Sequence, residues 1–326
     1  MQSLTKNLKT RAEIETLARH AFDGTGLAAG DAGLRELTDG WFNAVYDLTL
    51  ADGRAVILKI APPPGASVMA YERDLMATEV ATLRLVSGHP AIPAPALLYH
   101  DDSRTRCDAP YFFMAKVPGT SLDHLRERLP PAELAGIDRH VGEIVRAING
   151  FPGEWFGIPG NPELRAATWR GAFEKIVESV LEDAARRDVV FPRPPAEIRA
   201  LLRRHLPTLD AVTTPCLVDW DGWDTNFFVA DGRVSGVIDF ERALWAEPLM
   251  EAQFRALSWT GVSDAMRGYG RTEFTGDEIR RCRLYTLHLA LVMHTECFYR
   301  HYPGDKILNG SRDMMVANLD WLDAHG

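Results

Sequence analysis

Asp221 and Asn226 stand five residues apart, and Asp239 follows after two apolar runs, Phe227 to Val229 and Val234 to Ile238, that flank Asp231-Gly232. An Asp-Gly pair between short apolar runs is the strongest short-range signal for a β-hairpin. Folded back antiparallel, such a hairpin brings Asn226, before its first strand, beside Asp239, after its second, about 5 Å apart when paired. An amide oxygen and a carboxylate are hard ligands suited to Mg²⁺, which keeps most of its waters and takes further oxygens from substrate phosphates. Asp221 is delivered to the same place, where its carboxylate can accept or orient a hydroxyl proton.

A second hairpin is expected upstream in LTDGWFNAVYDLTLADGRAVILKIA, with its turn at Asp52-Gly53. Gly40, Trp41, Phe42 and Asn43 precede its first strand, and Lys59 lies late in its second. A glycine-bearing loop at a hairpin mouth offers backbone N–H groups to phosphate oxygens, and a neighbouring lysine adds a point charge. Standing alone, a lysine in Val-Ile-Leu-Lys-Ile is a strand residue that reaches for water. The stretch YERDLMATEVATLRLV predicts a helix with Met76, Val80, Leu83 and Leu85 or Val86 mostly on one side, carrying Glu79, with Glu72 just ahead. The prolines of HPAIPAPALL forbid helix and predict an edge strand or extended entry. Tyr111 to Met114 then reads as a short buried strand running into a hinge at Pro118-Gly119.

LVDWDGWDTNFFV followed by GVIDFERALWAEP resembles the aminoglycoside phosphotransferase family, the antibiotic and choline kinase-like branch of the kinase fold. The resemblance implies an α+β, protein kinase-like two-lobed fold: a small N-terminal β-sheet lobe over residues 1–116 and a larger, mainly helical lobe over 117–326. It implies ATP as phosphoryl donor, Asp221 as the catalytic base, and Mg²⁺ on Asn226 and Asp239. It also places the nucleotide loop at Gly40 to Asn43, the phosphate lysine at Lys59, and the carboxylate that steadies it at Glu79, with Glu72 as competitor. Backbone groups of Met114, Lys116 and Val117 would meet an adenine edge. Two positions depart from the family: Asp219 stands where it usually has His, and Trp220 where it has Gly. That His mainly supports the loop, so its loss bears on loop geometry and rate. The kinase-type loop needs its base five residues before the metal Asn, which selects Asp221 over Asp219 and Asp224. The expected activity is ATP-dependent transfer of the γ-phosphate to a small-molecule hydroxyl, such as that of an aminoglycoside-like antibiotic. A sugar, choline-like amine or amino alcohol is the alternative acceptor, and a nucleotide-binding pseudokinase is the alternative class. Trp220 and Trp223 are expected in the core under the loop, with an acceptor-site wall as the rival role.

The remaining features exclude rather than assign. With 326 residues, 46% hydrophobic and 25% charged, the chain suits one large or two modest globular domains. It has no apolar run of about 18 residues and no apolar leader, so no membrane partner and a cytoplasmic location are expected. A net charge of −9 argues against nucleic acid as partner and permits a cationic acceptor. Cys107, Cys216, Cys282 and Cys297 lack metal spacing and read as buried thiols. Helical stripes are expected at Ile14 to Phe22, His140 to Ile148, Phe173 to Ala184, a segment ended by Pro207, Leu249 to Leu257, and Ile279 to Tyr299. His288, His294 and His301 show no metal spacing and read as packing or surface residues.

Overall fold

The computed structural model describes residues 5–30, 33–38 and 40–326, with Ser258 and Trp259 described by their backbone alone. Helix α1 (Arg11–Ala21) opens on a capping box in which Thr10 accepts from the Glu13 N–H while the Glu13 carboxylate accepts from that of Thr10. Strands β1 (Leu34–Leu37), β2 (Ala44–Thr49), β3 (Ala55–Ile60), β4 (Leu97–Asp101) and β5 (Tyr111–Ala115) form an antiparallel sheet in the order β1-β2-β3-β5-β4. The proline-rich approach to β4 leads to the sheet's edge, where a strand loses least by missing N–H donors. Helix α2 (Leu75–Val86) carries Glu79.

The turn between β2 and β3 differs from the two-residue Asp-Gly turn expected of it. Leu50 N–H pairs with Arg54 O at 2.8 Å, and Gly53, at φ +89°, donates to Leu50 O at 2.9 Å. This is a three-residue loop, a tight turn followed by a left-handed glycine. The later hairpin keeps the two-residue form, with Asp231 and Gly232 at φ +50° and +72° between β10 (Phe227–Ala230) and β11 (Arg233–Val237).

Ahead of that hairpin come β6 (Thr120–Ser121), α3 (Pro131–Ile148), β7 (Phe156–Gly157), β8 (Arg165–Ala166), α4 (Trp169–Ala185), α5 (Pro195–His205) and β9 (Cys216–Val218). The helix ahead of Pro207 ends at His205 as expected, and a 3-10 turn over Leu206–Ala211 follows it. After it come β12 (Leu244–Ala246), α6 (Ala252–Arg255), α7 (Leu257–Thr260), α8 (Asp264–Tyr269), α9 (Gly276–Arg300) and α10 (Lys306–Ala324). The expected helix over Leu249 to Leu257 is broken into a 3-10 turn at Pro248–Met250 and two single helical turns, with Glu251 extended between them. That break turns the Glu251 carboxylate back toward β9, where two backbone N–H groups bind it. Helix α9 is buried around nearly its whole circumference, as a helix at the centre of a helical layer must be. Cys107 and Cys282 are buried as expected, whereas Cys216 and Cys297 are partly exposed.

Two apolar clusters result. One joins the sheet, α1 and α2 to α3 and the β10–β11 hairpin; the other joins α4, α5, α9 and α10. The segment between β3 and α2 crosses from the first to the second, burying Met69 and Tyr71 among the helices. Ala70 N–H donates to Asp183 at 2.7 Å there, and Ala70 O accepts from Asn161 at 3.0 Å. Among the described residues no helix is long and apolar enough to cross a membrane.

Candidate active site

Successive side chains on a strand alternate faces, so Lys59 points to the opposite side from Leu58 and Ile60, toward α2. Its ammonium reaches Glu79 Oε1 and Oε2 at 2.9 and 2.7 Å and Asp239 Oδ1 at 2.6 Å, with Glu241 Oε2 at 3.8 Å. Glu72, the competing carboxylate, is elsewhere: it is buried against Arg300 and accepts from Met69 N–H. Burial alone would discharge Lys59, yet Asp239, Glu79 and Glu241 hold its pKa above the ordinary lysine value. Burial pushes Glu79 up to about 7 and, with Asp239 beside it, Glu241 up to about 8. Three carboxylates share one ammonium, so protons or a further cation must balance the remainder.

The β10–β11 ladder delivers Asn226 and Asp239 as a hairpin should. Phe227 pairs with Val237, and Ile238 N–H donates to Asn226 O at 3.1 Å, leaving Asp239 one residue beyond the last rung. Asp239 adopts φ +69°, a left-handed turn that swings its carboxylate off the strand and onto Lys59. Asn226 donates its amide N–H to Asp221 O at 2.9 Å, which leaves the amide oxygen as its acceptor group. Asp239, Glu79 and Glu241 oxygens all lie within 4.8 Å of one another. Hard oxygens with surplus negative charge fit a divalent cation such as Mg²⁺.

The loop from Asp219 to Trp223 is pinned from below. Glu251 accepts the N–H of Asp219 at 3.0 Å and of Trp220 at 3.2 Å, and Arg255 donates to Trp220 O at 2.6 Å. Trp220 is held at φ +64°, where the bulk of its side chain makes the backbone costly by about 1–3 kcal/mol. Asp221 faces Arg242, whose Nε is 3.7 Å from its Oδ2 and whose Nη2 reaches Glu296 at 2.8 Å. Burial raises the Asp221 carboxyl and Arg242 opposes that rise. Asp224 is taken by Arg126 in a bidentate pair at 2.5 and 2.8 Å. Trp220 and Trp223 both pack into the helical core, with the Arg255 guanidinium 4.9 and 5.5 Å from their rings.

Gly40 is exposed, and Asn43 is buried with its amide donating to Glu241 Oε2 at 2.5 Å. Trp41 meets Tyr302 edge-on at 5.1 Å, so this loop touches the helical side. Met114 pairs with Ile57 and Leu97 in the sheet, Lys116 reaches Asp47 at 2.8 Å, and Val117 packs where a Cβ on Gly236 would come within 2.6 Å. Gly119, at φ +103°, lies so near Val229 O that a Cβ would approach to 2.3 Å, which sets the expected hinge directly against the β10–β11 hairpin.

The family model described as the phosphotransferase enzyme family matches residues 33–285. The chain belongs to that family. Its kinase-like fold is shared with solved phosphotransferases. Aminoglycoside phosphotransferase APH(2″)-IIa, in a ternary complex with streptomycin and ATP, superposes with a TM-score of 0.62 at 13% identity, covering 96% of this chain and 99% of that one. A thermostable mutant of APH(4)-Ia bound to ADP and hygromycin B gives 0.59 at 17% identity, over 96% and 97%. Two subtelomeric hrmA-associated cluster proteins of Aspergillus fumigatus are 32% identical over 119 residues, 36% of this chain. The chain spans 23% of the length of these curated relatives.

Glu241, Glu251, Arg242 and Arg255 escaped the sequence reading. Glu241 and Arg242 follow Asp239 directly, so the segment Asp-Phe-Glu-Arg held a signal: charged residues crowded at a strand end. Glu251 and Arg255 lie some thirty residues downstream of the loop they hold, and nothing local marks them.

Proposed function

We propose that the protein is an ATP-dependent kinase that transfers the γ-phosphate to a hydroxyl of a small molecule. The clamp of Lys59 between Glu79 and Asp239 is the observation that carries this reading, because it unites the strand, helix and hairpin that a kinase-type site requires. Nucleotide would enter between residues 1–116 and 117–326, with the loop from Gly40 to Asn43 and Lys59 on its phosphates, and Met114, Lys116 and Val117 along its base. Asn226 and Asp239 would hold Mg²⁺, which when bound neutralises charge developing on the phosphates. Asp221 would accept the acceptor's hydroxyl proton or orient it, with Arg242 and Glu296 fixing its carboxylate. The catalysis is positioning and electrostatics.

Streptomycin and hygromycin B are bound by the structural neighbours, and an aminoglycoside-like acceptor is one reading. A specific observation favours a less cationic metabolite such as a sugar. Glu296, the carboxylate behind Asp221, is already paired with Arg242 and so is committed before a polycation arrives. Acceptor-dependent ADP release across aminoglycosides, sugars and amino alcohols tests both points. Nucleotide binding with no turnover on any acceptor would replace the kinase reading with that of a pseudokinase.

A further inference from the structure

Asp219 has no visible reason to be charged. It is buried, and neither of its carboxylate oxygens has a hydrogen-bond partner. An ionised carboxylate left without donors away from water is among the least favourable groups a protein can bury, and protonation removes that penalty. The groups that face it deepen the case. Glu251, ahead of α6, binds the Asp219 N–H; Asp221 follows in the same loop; Asp239 lies beyond β11; all three are carboxyl groups that oppose a further negative charge at Asp219. Arg255 from α6 is the opposing cation, and it donates to Trp220 O and Met250 O. On α9, His288 stands behind Trp220, where burial keeps its ring neutral. Burial first, then Glu251, Asp221 and Asp239, push the Asp219 carboxyl well above the usual carboxylate range.

A second orphan lies beside it. Gln253 gives its amide N–H to Gly222 O at 2.9 Å, while its Oε1 is buried without a donor. A Cβ built on Gly222 would sit 3.2 Å from Asp219 Oδ2 and 3.4 Å from Gln253 Nε2, so carboxyl and amide flank the glycine that follows Asp221. Protonation of Asp219 turns one of the unpartnered acceptors of this loop into a donor.

We propose that Asp219 is an uncharged carboxylic acid whose O–H braces the loop carrying Asp221, which makes it a positioning residue for phosphoryl transfer. Its role in transfer rests on the reading of Asp221 as the base; its protonation does not. Infrared difference spectra of the wild type against Asp219→Asn at neutral pH read the protonation directly, through the carbonyl stretch of a carboxylic acid present only in the wild type. Asp219→Asn, neutral and nearly isosteric, should keep most of the turnover, while Asp219→Ala should lose about tenfold in kcat, the scale of one hydrogen bond, with KM for ATP little changed. On raising the pH, wild-type kcat should fall as the acid ionises, and that of Asp219→Asn should stay level. The proton is bound more tightly in the folded state, so its stabilising contribution is lost as pH rises; Tm of Asp219→Asn should gain on the wild type from pH 5 to 9. A missing carbonyl band, or equal damage from Asn and Ala, overturns the proposal. Absence of any acceptor-dependent turnover would overturn the kinase reading instead, since the infrared band and the Tm difference need no turnover.

Discussion

Lys59 Nζ donates to Asp239 Oδ1 at 2.6 Å, an ion pair between residues 180 positions apart that ties the sheet to the end of the β10–β11 hairpin. Asp239 packs no core, so Asp239→Ala should abolish Mg²⁺-dependent nucleotide use while the fold survives. Turnover as a function of Mg²⁺, alongside Tm, checks this; near-normal turnover at ordinary Mg²⁺ would remove Asp239 from the metal site.

Lys59→Ala has a different signature. It leaves Glu79, Asp239 and Glu241 facing one another in a buried site, which costs about 3–5 kcal/mol when one member of such a set is lost. Denaturant unfolding should show that loss. Steady-state kinetics should show KM for ATP rising far more than KM for the acceptor, because Lys59 belongs to the sheet lobe. A change confined to the acceptor parameter would refute the assignment.

Asp221→Asn should lower turnover by about 10²-fold or more at saturating ATP, the scale of a positioned general base. Asp219→Asn should cost less. The reverse order would move the base to Asp219.

Trp223 is partly buried against the helical core, with Arg255 5.5 Å from its ring. Trp223→Ala should therefore lower stability by about 1–3 kcal/mol and leave acceptor preference unchanged. A shift in preference at unchanged Tm would make Trp223 a wall of the acceptor site.

His288 is enclosed by the ring edges of Phe173 and Trp220, and burial depresses its pKa to about 3. The unfolded chain takes up this proton near the ordinary pKa of about 6.5, so stability present above that value is lost as pH falls toward 3. His288→Gln should flatten the fall of Tm between those limits. An unchanged acid slope would exclude His288 as its cause.

How far the sequence speaks depends on the range of the interactions involved. Asp231-Gly232 set the β10–β11 hairpin because two consecutive left-handed residues are a local demand, met without reference to the rest of the chain. The Asp52-Gly53 signal located β2 and β3, and helical stripes marked α1, α3 and α4, because periodicity reports which face meets a core. The candidate residues Asp221, Asn226 and Asp239 were legible because they stand at the ends of one hairpin at a short spacing, whereas Lys59 was singled out only by the family resemblance. Where a turn tolerated two solutions, as at Asp52-Gly53, the local signal named the residues and missed the loop length.

Helical periodicity alone left Glu79 and Glu72 open, and the family resemblance favoured Glu79, which is the one that Lys59 meets. Both precede or sit on α2, and only the crossing of residues 67–73 onto the helical layer gave Glu72 to Arg300 and left Glu79 to Lys59. Likewise Glu241 joined the Lys59 cluster through Asn43, and Glu251 came to bind the loop at Asp219 and Trp220, through contacts that span 198 and about thirty residues. A carboxylate's partner is decided by which distant donors share its buried space. By itself the sequence determined the hairpins, the helices and the residue types at their ends. Tertiary structure alone decided which charges meet, because ion pairing in a dry interior follows proximity in space and not spacing along the chain.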